Sequence, residues 1–300
     1  MNEITKRYDA AVKSFADRLR GDPNVIAVLV AGSVYHGTVW EKSDVDATVV
    51  VRDQRLERRS YGIYEDNILI NVYVCQRSEL KRGMERSLGG LMGHSIDATT
   101  KVVCTTDDSL YEYIEENRAI GVADAEKAVF TNVNWLLGVM EKIEKWLVVK
   151  QDAEYARYYV LKAADIIANI EVCSRLIPPT REAILEAADL NPELMREFYT
   201  LPMAAPMTER EIYGVIKKME DYILTHMDSV LAVTRDFFGD GEIKTGTQTA
   251  RHFGSDMHYL HPILDFLCDR GYLDKISQPM RLTPKGRMNV EEAAFILREA

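Results

Sequence analysis

Hydrophobic positions recur along the chain in different rhythms, and each rhythm predicts an element. Ile4, Tyr8, Ala11, Val12, Phe15 and Leu19 fall three or four residues apart, the spacing of one helix face, and Gly21-Asp22-Pro23-Asn24 ends it. Residues 25–32 (VIAVLVAG) are a continuous apolar run of strand length, as in a strand buried on both faces. Residues 45–51 (VDATVVV) form a β-branched strand pattern. Residues 60–75 read as a hairpin, two strand-like runs with Glu65-Asp66-Asn67 at the turn. A short helix follows over 78–86, a glycine-rich loop over 89–93, and another strand over 101–105. This order predicts a small mixed α/β domain ending near residue 118.

From about 124 to 236 the pattern is helical throughout. Breakers stand at Pro178-Pro179, at Asn191-Pro192 and over 201–206. Thr208-Glu209-Arg210-Glu211 is a capping-box signature, and it opens a long helix with apolar groups from Ile212 to Leu231. A helical bundle with Trp135, Trp146, Tyr158 and Tyr159 in its core is expected. Beyond Gly239-Asp240-Gly241 the elements are short: a helix near 246–253, a helix at 257–270, then strand, turn, strand and a closing helix. That order resembles a winged helix-turn-helix. The fold class is α+β in three parts: a mixed-sheet domain over 1–118, a helical bundle over 119–238 and a winged-helix-like domain over 239–300.

Composition narrows the class. With 47% hydrophobic and 28% charged residues the chain can bury a sizeable core, which excludes wholesale disorder. Its apolar runs are far shorter than the roughly 18 residues of a membrane span, and the charged N-terminus is unlike a secretory signal. The four cysteines are scattered among apolar residues, as reduced thiols of a cytoplasmic protein would be. A net charge of −10 argues against nucleic acid as a partner. Residues 119–240 hold 20 acidic and 13 basic side chains, which describes solvated helix faces or a surface suited to a cationic substrate. The last 60 residues carry no net charge, unlike a DNA-binding module.

Chemistry concentrates in residues 31–51. Gly32-Ser33 ends a buried strand, where a residue without a Cβ lets a ligand approach the backbone and a hydroxyl and N–H suit a phosphate oxygen. Thirteen residues after Ser33 comes Asp46, with Asp44 two before it, so both carboxylates point to one face of a strand. Two carboxylates that close need a cation, and Mg²⁺ commonly shares such ligands with substrate phosphates. The grouping describes a place for a nucleoside triphosphate and its magnesium.

Gly32-Ser33, Gly37 and Ser43-Asp44-Val45-Asp46 together resemble the signature of the nucleotidyltransferase superfamily typified by DNA polymerase β. That superfamily usually carries a third carboxylate on the next core strand, and Asn71 holds the place here. Either the protein is catalytically dead or the third acid comes from elsewhere, Glu65 or Asp66 at the turn being candidates. The arrangement over residues 1–200 resembles kanamycin nucleotidyltransferase and its aminoglycoside-modifying relatives. Matching Lys145-Trp146 to that family's first bundle helix implies Glu141 as general base and Lys145 as a phosphate ligand. His36 matches an arginine of the family's phosphate loop, and Asp46 stands where the family has Glu.

The resemblance implies an enzyme that moves a nucleoside monophosphate, AMP from ATP, to a hydroxyl of a small molecule such as an aminoglycoside-like antibiotic. Asp44, Asp46 and Glu141 would be catalytic, Asp44 and Asp46 holding Mg²⁺. Gly32, Ser33, His36, Ser43 and Lys145 would bind the nucleotide. Glu141 would face Asp46 across an interdomain cleft. The competing expectation, motivated by Asn71 and the tail, is a binding or regulatory protein on the same scaffold. Both leave room for a homodimer.

Overall fold

The computed structural model describes residues 3–87 and 99–298. The chain divides into two compact units, Met1–Asp124 with Leu176–Arg181, and Ala125–Arg175 with Glu182–Ala300. No described helix is long and apolar enough to cross a membrane.

The first unit runs α1 (Glu3–Leu19), β1 (Val25–Ala31), α2 (Ser33–His36), β2 (Val45–Val51), β3 (Ser60–Glu65), β4 (Ile68–Gln76), α3 (Arg77–Ser87), β5 (Lys101–Thr105) and α4 (Ser109–Glu116). The expected strands form one sheet in the order β3-β4-β2-β1-β5, with β2 and β4 parallel and the other neighbours antiparallel. The loop expected over 89–93 lies outside the described residues. Asp66 and Asn67 make the β3–β4 turn with φ of 50° and 61°, the backbone a two-residue hairpin requires.

Period-two alternation gives the sheet two differently covered faces. On one, Val28, Val45, Val49, Ile70 and Val72 pack against Tyr8, Val12 and Phe15 of α1. On the other, Leu29, Val50 and Cys75 meet Met84 of α3 and Leu110 and Ile114 of α4. Burial pushes the Cys75 thiol up to about 11, so it stays a neutral core group. The helices cover only part of this second face. Asp46 and Thr48 on β2, and Asn71 and Tyr73 on β4, share its direction and line an open cavity.

The second unit begins within α5 (Val122–Val148) and continues through α6 (Ala153–Ser174), α7 (Ala183–Leu190), α8 (Pro192–Met195), a π-helical turn at Arg196–Thr200, α9 (Leu201–Ala204), α10 (Glu209–Thr225) and α11 (Met227–Phe238). The capping box forms at Thr208 and Glu211. The long helix expected from Thr208 is two helices, because His226 leaves helical geometry at φ −108° and ψ 11°. The breaker expected over 201–206 is helical as far as Ala204.

The tail follows as β6 (Lys244–Thr245), α12 (Gly246–His252), α13 (Met257–Asp269), β7 (Leu273–Met280) and β8 (Val290–Leu297), with sheet order β6-β8-β7. The closing helix expected at the C-terminus is instead β8. Glu291, Glu292 and the two alanines after them favour a helix locally. Pairing along the whole of β7, with Ala294 and Phe295 buried, overrides that preference.

Asn134 of α5 repairs the backbone of α13 around Pro262. Its Nδ2 donates to the Tyr259 carbonyl at 2.8 Å and its Oδ1 accepts from the Ile263 N–H at 3.2 Å. These two groups are the i and i+4 partners of an ordinary helix, so the amide stands between them. Two aromatic expectations are corrected. Trp135 and Tyr158 are 49% and 45% exposed, because the buried stripe of α5 runs through Leu136, Met140, Ile143 and Leu147. Tyr155, Tyr158 and Tyr159 instead group with Trp146.

A charged group also lies inside the bundle. Glu171 of α6 is 5% exposed and accepts from Arg175 at 2.7 Å, Tyr222 at 3.1 Å and Asn191 at 3.3 Å. Burial raises its carboxyl pKa, but these hydrogen bonds outweigh burial and hold it below the ordinary 4.5. The bonded carboxylate therefore stabilises the fold fully above pH 4.5, and that contribution is lost as pH falls through the lower folded value. Glu171→Gln is expected to cost about 2 kcal/mol at neutral pH, the scale of hydrogen bonds to a charged group. The difference from wild type should shrink on acidification, read by urea denaturation at several pH values.

Candidate active site

β1 and β2 pair antiparallel with Ala31 opposite Asp46, which brings the end of β1 beside the carboxylates. The chain then turns sharply at Gly32, with φ 74° and ψ −145°. Only glycine adopts that region without strain of about 1–3 kcal/mol. A Cβ built there would stand 3.5 Å from Asp46 Oδ2, an ordinary contact. Gly32→Ala is thus expected to destabilise the first unit through its backbone, by about 1–3 kcal/mol, and to weaken nucleotide binding by shifting the turn that carries Ser33. Thermal denaturation with and without nucleotide checks both effects.

Ser33 opens the single turn of α2, and Gly37 closes it in the left-handed region at φ 67°. The side chain of His36 lies outside the described residues. The stretch from 38 to 44 is tied down from two directions. Ser43 Oγ accepts the Trp40 N–H at 3.0 Å, and the Tyr8 hydroxyl of α1 contacts the Trp40 and Ser43 carbonyl oxygens at 3.0 and 2.6 Å. Ser43 thus braces the loop that delivers Asp44.

β2 and β4 pair with Asp46 beside Asn71. The Asn71 amide lies 2.6 Å from Asp44 Oδ2 and 3.5 Å from Asp46 Oδ1. Both carboxylates are exposed and neither forms an ion pair with a described lysine or arginine. Two acidic groups therefore converge on one donor. Asn71 stands where the third acid was expected, and Glu65 does not supply it: that side chain is buried and accepts from Ser14 Oγ and Arg18 Nη2 at 2.7 and 2.9 Å, tying α1 to the sheet. Asp66 sits in the hairpin turn. Among the described residues no cluster of three or more His, Cys, Asp or Glu side chains could hold a metal.

The cavity over this face measures about 430 Å³. Besides Asp46 and Asn71 it is lined by Thr48, Ser60, Gly62 and Tyr73, with Arg58 and Tyr61 also contributing. No motif in the sequence points to any of these six. Thr48 was within reach, two residues beyond Asp46 on the same strand face. The others depended on β3 and β4 lying next to β2.

Glu141 and Lys145 lie in the second unit, both exposed on α5. Although Lys145 stands one helical turn beyond Glu141, the two are not ion-paired. The Glu141 carboxylate instead lies 3.9 Å from His261 Nε2. The other tail histidines are exposed as well. His252 stacks on Phe237 at 4.1 Å and His258 lies against Tyr259 at 3.7 Å.

No protein-family model matches the chain, and no curated protein does. Solved structures do. The crystal structure of a nucleotidyltransferase-like protein from Exiguobacterium sibiricum 255-15 superposes with a TM-score of 0.65, covering 97% of this chain and 99% of that one at 13% identity. Spectinomycin adenyltransferase AAD(9) from Enterococcus faecialis, solved with ATP and spectinomycin, covers 72% of this chain and 98% of its own at 14% identity. Its TM-score of 0.32 is too low to carry an argument. The near end-to-end match to the first structure, together with the mixed sheet and the helices after it, makes the fold of this chain nucleotidyltransferase-like.

Proposed function

We propose that the chain is a nucleotidyltransferase that moves a nucleoside monophosphate from a nucleoside triphosphate, ATP in the first instance, to a hydroxyl of a small molecule. The observation that carries this reading is the convergence of Asp44 and Asp46 on one Asn71 nitrogen, at 2.6 and 3.5 Å, beside the glycine-dependent turn at Gly32-Ser33. The donor set fits magnesium. Mg²⁺ needs only one or two protein carboxylates when substrate phosphates and water complete its shell. Asp44 and Asp46 are exposed hard-oxygen ligands with no described cationic partner. Bound there, the ion would supply charge neutralisation at the phosphoryl oxygens.

The protein's own groups would divide the remaining work. The Gly32 backbone and the Ser33 N–H and hydroxyl would hold the β- and γ-phosphates. Ser43, fixed by Trp40 and seated under Tyr8, would keep Asp44 in place. Asn71 would orient both carboxylates through its amide. The acceptor oxygen attacks the α-phosphorus, a new P–O bond forms, and the bond to the pyrophosphate oxygen breaks. Pyrophosphate leaves with that electron pair, and the acceptor proton passes to a base, for which the family resemblance offers Glu141. Lys145 and His36 would add nucleotide contacts on the same resemblance.

The first test is ligand binding by the full chain. ATP with Mg²⁺ at about 100 times its dissociation constant should add about 2.7 kcal/mol of stability, visible as a rise in melting temperature that EDTA removes. A chain indifferent to ATP and Mg²⁺ would overturn the reading. The alternative, a binding protein on this scaffold, is favoured by Asn71 in the place of the third acid. It predicts the same thermal shift with no pyrophosphate released for any acceptor.

A further inference from the structure

The geometry points to an anionic, polyhydroxylated small molecule as the acceptor, seated over β4 and β3 with its acid group on Arg58; this rests on the nucleotidyltransferase reading. In phosphoryl-type transfer the attacking and leaving oxygens lie roughly in line across phosphorus. The leaving pyrophosphate belongs with Gly32-Ser33, which follows β1 on one side of β2. The attacking hydroxyl must then come from the other side of β2. There the sheet continues through β4 to the edge strand β3, and the cavity continues with it.

Register fixes what lines that approach. Asp46 pairs with Asn71, and Asn71 with Gly62. Thr48 pairs with Tyr73, and Tyr73 with Ser60. Directly paired residues share a face, so two parallel rows run from the carboxylates to the sheet edge. The first ends at Gly62, which has no side chain to block the passage beside Asn71. The second offers two aliphatic hydroxyls and the 46%-exposed ring of Tyr73. Hydroxyls and an aromatic face suit a sugar-like body, and about 430 Å³ accommodates one.

Charge selects the rest. Among the described lining residues Asp46 is the one carboxylate, and in this reading it is engaged by the cation. Arg58 is the lining's one described cation. Neighbouring Arg59 is already committed, both terminal nitrogens lying 2.6 Å from the Glu79 carboxylate. Arg58 is not: its Nε donates to the Ser60 carbonyl at 2.7 Å and its guanidinium lies 5.2 Å from the Tyr61 ring. Its two terminal NH₂ groups have no described carboxylate and can take a phosphate or carboxylate in bidentate fashion. A polycationic acceptor would meet repulsion from Arg58 and find no free carboxylate on the described walls. In the reaction, a hydroxyl oxygen of this acceptor forms the new bond to the α-phosphorus of ATP, the α–β bridging bond breaks with pyrophosphate taking the electron pair, and the hydroxyl proton goes to the base.

The test is isothermal titration of the full chain, without nucleotide, using ribose 5-phosphate, ribose and kanamycin as probes. Ribose 5-phosphate should bind at least about tenfold more tightly than ribose, and kanamycin more weakly than either. Arg58→Gln should erase the phosphate advantage while the thermal shift with ATP and Mg²⁺ persists. Gly62→Val should weaken both sugars by filling the passage beside Asn71. Tighter binding of kanamycin than of ribose 5-phosphate, no advantage for the phosphate, or an advantage that survives Arg58→Gln would each overturn the assignment. Failure of the nucleotidyltransferase reading looks different: the wild-type chain would show no shift with ATP and Mg²⁺, whatever the sugars do.

Discussion

Asp46→Asn should abolish nucleotidyl transfer, by about 10³-fold or more, while leaving the apo protein as stable as wild type or slightly more so. The two halves of this result follow from the same geometry. Asp46 is exposed and is 3.5 Å from an amide it shares with Asp44, so its carboxylate contributes little to folding and repels its neighbour. Exposed charges of this kind are worth about 0–1 kcal/mol. In the proposed reaction the same carboxylate helps hold the cation that neutralises charge growing on the α-phosphate. Removing one preorganised electrostatic stabiliser from such a site costs about 10²–10³ in rate, and loss of the bound cation adds to it. Three measurements separate function from folding: the apo melting temperature, the Mg²⁺-dependent shift with ATP, and pyrophosphate release. An apo protein that melts early would make Asp46 a structural residue. Wild-type transfer by the variant would remove the metal assignment.

Much of the site was legible because its parts are local. A buried run ending in Gly-Ser and two aspartates at strand spacing need no tertiary information to be recognised. The place of Asn71 was also legible, since one hairpin separates it from the motif, and the register puts it beside Asp46. Features set by distant pairing were not. β8 carries helix-forming residues and becomes a strand because β7 offers a full-length partner. The cavity's second row of Thr48, Tyr73 and Ser60 exists only once the strand order β3-β4-β2 is known. Arg58 could not be distinguished from Arg59 in sequence, and the Glu79 ion pair of Arg59 makes the difference. The exposed Trp135 has a related cause: a helical stripe reports which residues face the core only after its neighbours fix the core's side, and α5 turns Leu136, Met140 and Ile143 inward instead.

Glu141→Gln should lower kcat by about 10²–10⁴, the usual range for losing a general base, with the nucleotide-dependent thermal shift intact. Glu141 is exposed near the C-terminal part of α5, so an amide of the same size should leave the apo melting temperature unchanged. That separation is what distinguishes a base from a helix surface charge. Its carboxylate lies 3.9 Å from His261 Nε2, a loose contact that leaves its lone pairs available to a hydroxyl. His261→Gln supplies the control. It removes the neighbour 3.9 Å away and leaves the carboxylate in place, so transfer should stay near the wild-type rate. If Glu141→Gln keeps the wild-type rate, α5 supplies no base. The acceptor proton would then have to leave through water or through Asp44 and Asp46, and Asn71 would mark a site that works without a third carboxylate.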